Sequence, residues 1–215
     1  MDSIVTMMTH GHSVVLERVG APNAKGKKSV LDVFAGDAGD IVDLRTGHAS
    51  AACLRIGWAA RFVVFDDGSE NRPKSGAFWC HLAVPTPHNF VSDVSGNSLT
   101  RFKPRAITGD WESTNPTRLF IGAVHVWDGG VRRIHRDDSV PRRNQQYSKP
   151  INNAGFVTQG LGVSLRVQAV DAKDDWLELR SVIIAFTGSE LGGVQAPADK
   201  AAEYLVSERP SAHVG

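Results

Sequence analysis

Two tryptophan–histidine pairs are the residues in this chain best suited to holding a small molecule. Trp79 and His81 stand two apart in the apolar run Phe78–Val84, and His125 and Trp127 stand two apart in Leu119–Trp127. Side chains alternate across an extended strand, so residues i and i+2 share a face. That spacing puts Trp79 beside His81, and His125 beside Trp127 together with Ile121 and Ala123. Indoles stack on a sugar or aromatic ring while imidazoles hydrogen-bond to it, so the two pairs form a candidate ligand face. Asp128 follows at once and is placed to orient a neighbouring histidine. The plainer alternative is that both tryptophans pack in the core and both histidines bond to backbone or water.

Other chemistries find less. His10 and His12 are spaced to chelate a divalent cation from one side of an extended segment, but further ligands such as His48 or His88 are distant. No HExxH or paired CxxC occurs, so no metal is expected. Asp32, Asp37, Asp40 and Asp43 lack the spacing of a calcium loop and read as a solvated acidic segment. Arg132, Arg133, Arg136, Arg142 and Arg143 form a basic stretch joined by His135, suited to an acidic partner surface or a contact between subunits. Asp137 and Asp138 dilute it and few aromatics interleave, which disfavours nucleic acid. No Gly-x-Ser-x-Gly elbow, P-loop or GxGxxG is present, and Cys80 and His81 fall on opposite strand faces, so no catalytic residue and no cofactor is nominated.

The elements that must position these residues are strands. In Leu161–Ala169 the alternation is clean: Leu161, Val163, Leu165 and Val167 point one way, and Ser164, Arg166 and Gln168 the other. Further strands are expected near 12–19, Leu54–Phe65, Phe78–Val84, Leu99–Ile107, Leu119–Trp127, Val131–His135 and Trp176–Phe186. Asp128-Gly129-Gly130 reads as a tight turn, Asp171–Asp175 as a hairpin between the last two long strands, and Pro85-Thr86-Pro87 as a strand stop. No helical stripe of three turns separates the strands. The expectation is an all-β fold, an antiparallel sandwich or jelly roll of seven or eight strands, with a short helix within 196–206. Residues 1–190 read as one domain with a long loop or insertion at about 20–50, and 191–215 as a tail.

Composition agrees. The 215 residues carry 24 Lys+Arg against 23 Asp+Glu, a net charge of +1, and 41% are hydrophobic. That balance excludes a disordered chain and argues against a general polyanion binder. No apolar window is long enough for a membrane-spanning helix. The first residues lack a basic start followed by a long apolar run, so a cytosolic location is expected. Cys53 and Cys80 read as buried free thiols, with pairing across neighbouring strands the alternative.

Several runs carry a resemblance: Thr9-His10-Gly11-His12-Ser13-Val14, Arg55-Ile56-Gly57-Trp58, Phe78 to Pro87, Ala123 to Gly129, and Gly160-Leu161-Gly162-Val163-Ser164. In these the chain resembles a family of uncharacterised bacterial single-domain β-sandwich proteins. The resemblance implies a sandwich and no activity, and the 20–50 segment departs from it. Two functional classes follow. The first is a non-enzymatic sandwich that binds a partner or assembles with itself through sheet edges and polar loops, as a homo-oligomer. The second is an enzyme, or a small-molecule or glycan-binding protein, using a pocket around His81, His125 and Asp128, with or without a metal.

Overall fold

Along Gly76–Val84 the side chains of Phe78, Cys80, Leu82 and Val84 are buried, while Trp79 and His81 are half-buried and Ala83 is exposed. One face of this strand meets an oily interior and the other meets solvent, as period-two patterning dictates. The computed structural model describes residues 3–16, 40–43, 49–66, 75–87, 90–91, 98–130, 132–144 and 146–192. Within them the regular structure is strand, with one 3-10 turn, Gly11–Ser13, and no α-helix.

The strands are β1 (Ser3–His10), β2 (Val15–Leu16), β3 (Asp40–Asp43), β4 (Ala49–Ile56), β5 (Ala59–Asp66), β6 (Gly76–Val84) and β7 (Phe90–Val91). They continue with β8 (Ser98–Ser113), β9 (Leu119–Asp128), β10 (Arg132–Asp137), β11 (Tyr147–Pro150), β12 (Leu161–Ala169) and β13 (Trp176–Gly192). An eight-stranded sheet runs β11-β8-β13-β5-β4-β3, with β1 added to β13 and β7 to β8. A five-stranded sheet runs β10-β9-β12-β6-β2. All pairings are antiparallel.

The inner faces supply the core. Phe62, Ile107, Leu177, Leu179, Ile184 and Phe186 come from the larger sheet, and Leu82, Ile121, Val124, Val163, Leu165 and Val167 from the smaller. Phe62 meets Phe78 edge to face with centroids 5.2 Å apart, joining the layers. Each such side chain taken out of water contributes about 1.5–3 kcal/mol, so the inter-sheet layer is the main source of stability. Cys53 and Cys80 lie in this layer as buried free thiols on strands of different sheets. Burial, reinforced by Cys53, pushes the Cys80 thiol far above its ordinary range, which makes it inert as a nucleophile.

The sandwich is as expected; its strand count and several connections are not. The run Leu54–Phe65 is two strands, because Gly57 adopts φ +52° and turns the chain with Trp58 exposed at the corner. Asp171–Asp175 is no hairpin. It carries the chain from β12 in one sheet to β13 in the other, pinned by Val64 N–H to Asp175 O and Asp174 N–H to Val64 O. The 136–160 stretch buries Val140, Tyr147 and Ile151 and forms β11, where the sequence shows little to bury. Asp40 and Asp43 belong to β3, inside the segment read as a loop. β13 runs on to Gly192, past the boundary expected for the tail. The helix at 196–206, the rest of the tail, and Lys25, Lys27, Lys28, Asp32 and Asp37 lie outside the described residues.

Gly11 shows why the first crossover can be made. The chain leaves β1 in the larger sheet for β2 in the smaller, passing against the backbone of β13. A Cβ on Gly11 would stand 1.8 Å from Leu179 O. His10 therefore ends a strand and His12 sits in the 3-10 turn, so the extended i, i+2 geometry proposed for chelation does not form.

Candidate ligand face

The outer face of the five-stranded sheet can be laid out from strand register alone. Ala77 on β6 pairs with Gln168 on β12, which pairs with Phe120 on β9. The next row is Trp79, Arg166 and Ala123. The third is His81, Ser164, His125 and, on β10, Arg136, with Val15 of β2 at the opposite edge. The fourth is Ala83, Gly162, Trp127 and Arg133.

Trp79 and His125 stand on strands separated by β12, yet their rings lie 4.8 Å apart. The Trp79 indole therefore lies across β12. His125 also meets Trp127 at 6.5 Å, edge to face. His81 Nδ1 and Ser164 Oγ share a hydrogen bond at 2.9 Å beneath this layer. Both predicted pairs are thus brought onto one face, with His125 buried and the other three half-buried.

One predicted member is elsewhere. The β9–β12 register shifts between Arg166 and Val167, leaving Gly122 as an extra residue. Past this bulge the parity reverses, so Ile121 turns into the core while Ala123, His125 and Trp127 stay outside. Gly122 is also the place where Gln168 lies down: a Cβ there would stand 1.7 Å from Gln168 Oε1.

Asp128 orients no histidine. Its Oδ2 accepts from Thr158 N–H at 2.9 Å and Thr158 O–H at 2.7 Å, and its Oδ1 from Gln159 N–H at 2.8 Å and Gly160 N–H at 3.2 Å. Burial pushes this carboxyl up, but the four donors outweigh it and hold it below the usual carboxylate range. Asp128 is a clamp on the loop that leads into β12.

The acid that holds His125 is Asp138, which sequence reasoning passed over. His125 Nε2 donates to Asp138 Oδ1 at 2.6 Å, and Arg136 Nε donates to Asp138 Oδ2. The hydrogen bond from His125 comes first in holding Asp138 below its ordinary range; slight burial opposes it and Arg136 assists. A signal was present. It was incomplete: reflecting the chain about the Asp128-Gly129-Gly130 turn from the Asp128–Arg132 pair puts His135 opposite His125, and only the bulge between Arg133 and His135 brings Arg136 there, with Asp138 two residues on.

The arginine stretch does not act as one patch. Arg133 lies over Trp127 and Arg142 over Phe120, each with its guanidinium carbon 4.3 Å from the ring centroid. Arg136 serves Asp138, Arg132 approaches Gly155, and Arg143 is exposed in the following bend. The bend itself is tied to β8 by Asn144, which accepts from Ser113 N–H at 2.9 Å and donates to Ser113 O at 2.6 Å.

Two clefts lie along this sheet, one of them lined by Trp79. One of about 410 Å³ is lined by Ser75, Gly76, Ala77, Trp79, Arg166, Gln168 and Ala169. The other, of about 380 Å³, lies by His81, Ala83 and Val15 and is floored by Gly129 and Gly160 to Gly162. Among the described residues no group of three or more His, Cys, Asp and Glu is placed to hold a metal ion, and no helix is long and apolar enough to cross a membrane.

No protein-family model matches the chain, and a search of curated proteins gives no match. Among solved structures, a family 29 carbohydrate-binding module is similar with a TM-score of 0.31 and 9% identity, over 85% of this chain and 89% of the other. A tyrosine-to-alanine mutant of a family 29 module, made to probe ligand recognition, is similar with a TM-score of 0.30 and 8% identity, over 86% of this chain and 93% of the other.

Proposed function

We propose that this chain is a binding β-sandwich that takes a saccharide or a similar polyhydroxylated molecule on the outer face of its five-stranded sheet. One observation carries the reading. Trp79 reaches across a central strand on the outer side of the sheet, half-buried against the His125 ring, and lines a cleft of about 410 Å³. An indole so presented offers its face to the C–H side of a sugar ring, and the neighbouring imidazole, hydroxyl and amide groups suit its hydroxyls.

The enzymatic alternative has two hydrogen-bonded pairs in its favour, Ser164 with His81 and Asp138 with His125. It lacks a backbone oxyanion hole at Ser164. β12 is bonded to β6 on one side and β9 on the other, so its backbone N–H groups are engaged in the two ladders. The expectation of self-assembly through sheet edges draws no support from the fold or from the comparisons.

A glycan array followed by calorimetry tests the proposal. Trp79→Ala is expected to weaken binding of the best glycan by roughly tenfold or more while leaving the fold intact. Absence of any glycan ligand, or unchanged affinity in both Trp79→Ala and Trp127→Ala, overturns it.

A further inference from the structure

We infer that the saccharide taken by this face is acidic, and that Arg166 pairs with its carboxylate or sulfate ester in the cleft beside Trp79. This rests on the saccharide reading above and adds the charge of the ligand to it.

Arg166 is exposed on the central strand of the sheet. Its cross-strand neighbours are Trp79 and Ala123, and its same-face neighbours along β12 are Ser164 and Gln168. None carries a charge. Among the described residues Arg166 has no ion pair, hydrogen bond or ring contact. Elsewhere on this face each guanidinium has an occupation: Arg133 covers Trp127, Arg142 covers Phe120 and Arg136 holds Asp138. Asp138 already serves His125, and Asp171 touches the rim of the cleft through its backbone N–H on Ser75. Among the described residues, those of this face that the strand register sets around Arg166 therefore leave its charge uncompensated, although the chain as a whole carries only +1. An uncompensated arginine inside a cleft attracts an anion, and its planar fork suits two oxygens of one group.

The rest of the cleft suits a sugar around that anion. Trp79 supplies a stacking surface. Gln168 supplies an amide that lies over Gly122, its Oε1 in the space a Cβ there would need. Ser75 Oγ accepts from Asp171 N–H at 3.0 Å, which leaves its own proton to donate. One cation among neutral hydrogen-bonding groups matches one acid group among several hydroxyls. A nucleic acid strand would instead ask for successive free cations along a groove, and here the other arginines of the face are already engaged.

The test uses the full chain and calorimetric titration with four probes: an oligogalacturonate, its methyl ester, a sulfated oligosaccharide and an oligouridylate. Arg166→Gln and Arg166→Lys are compared with the parent. The expected result is that an acidic oligosaccharide binds roughly ten- to hundredfold more tightly than the ester, and that added salt narrows the gap. Arg166→Gln is expected to abolish the gap, while Arg166→Lys retains part of it. Preference for the sulfated probe over the uronate identifies a sulfate ester as the anion and supports the inference equally. Equal binding of acid and ester, unmoved by Arg166→Gln, overturns the acidic ligand and leaves the saccharide reading standing. Binding of no oligosaccharide by a folded parent overturns both, and tightest binding of oligouridylate lost in Arg166→Gln replaces them with a nucleic acid site. Unchanged thermal unfolding of the Arg166 variants shows that affinity, not folding, has been altered.

Discussion

The two outer faces of the sandwich use the same residue types to opposite ends. On the eight-stranded sheet, Arg61 stacks over Trp176 at 4.7 Å and donates to Glu178 at 2.8 Å. Arg180 bonds Glu178 at 3.1 Å and also reaches Glu112. Two guanidinium groups and two carboxylates pair with one another, although Arg61 Nε is buried without a hydrogen-bond partner among the described residues. Burial pushes Glu178 up, yet the two arginines outweigh it and hold it below its ordinary range. On the five-stranded sheet, Arg133 stacks over Trp127 in the same way but no carboxylate joins it, and Arg166 stands alone. A network whose opposite charges are already paired offers little charge to a ligand. One that leaves a cation and an indole unsatisfied has interactions still to make. The difference separates a structural face from a binding face made with the same side chains.

If that separation holds, stability must reside in the clamps and the self-paired network, and not in the exposed arginine. The largest loss is expected at the Asp128 clamp. Asp128→Ala removes the acceptor of four hydrogen bonds and should lower unfolding stability by about 3 kcal/mol at neutral pH, measured by chemical denaturation. Because the folded pKa of Asp128 lies below its unfolded value, its contribution is complete above the ordinary carboxylate pKa of about 4 and disappears as pH falls through the folded value. The deficit of the variant should therefore shrink on acidification. A deficit that grows in acid would show that Asp128 is held in some other way.

A smaller loss is expected on the larger sheet. Glu178→Gln leaves Arg61 and Arg180 facing a neutral amide and should cost about 1–2 kcal/mol, reduced by the solvent that already screens both arginines. Its ligand affinity should match the parent. An affinity loss there would break the comparison, since it would give the paired face a share in binding.

The smallest difference in stability between two variants, and the sharpest contrast in binding, lies in the two tryptophans beneath arginines. Trp127→Ala and Trp176→Ala each remove a half-buried indole and a cation–π contact, the latter contributing about 0.5–1 kcal/mol. Measured side by side, the two should melt alike, while only Trp127→Ala loses affinity for the glycan. Equal affinities would place the ligand away from the Trp127 end of the face.

Much of this face can be read along the chain. Period two puts Trp79 with His81, Ser164 with Arg166 and Gln168, and His125 with Trp127, because a strand side chain has only two directions available. The same reasoning fails at Ile121, where one inserted residue, Gly122, reverses the direction of everything before it. It fails also at Asp128, whose four donors come from a loop some thirty positions along the chain. Asp171–Asp175 looks like a hairpin because turn residues separate two apolar runs, and such residues serve a crossover between sheets equally well.

Local alternation of oily and polar side chains determined that this chain forms layered sheets, and which residues of each strand face outward. It could not determine which strands become neighbours. That depends on how the two sheets close over a shared interior, a choice made by long-range packing after each strand already has its faces. Only that choice set β12 between β6 and β9, laid Trp79 against His125, brought Asp138 over the hairpin, and left Arg166 with no acid beside it.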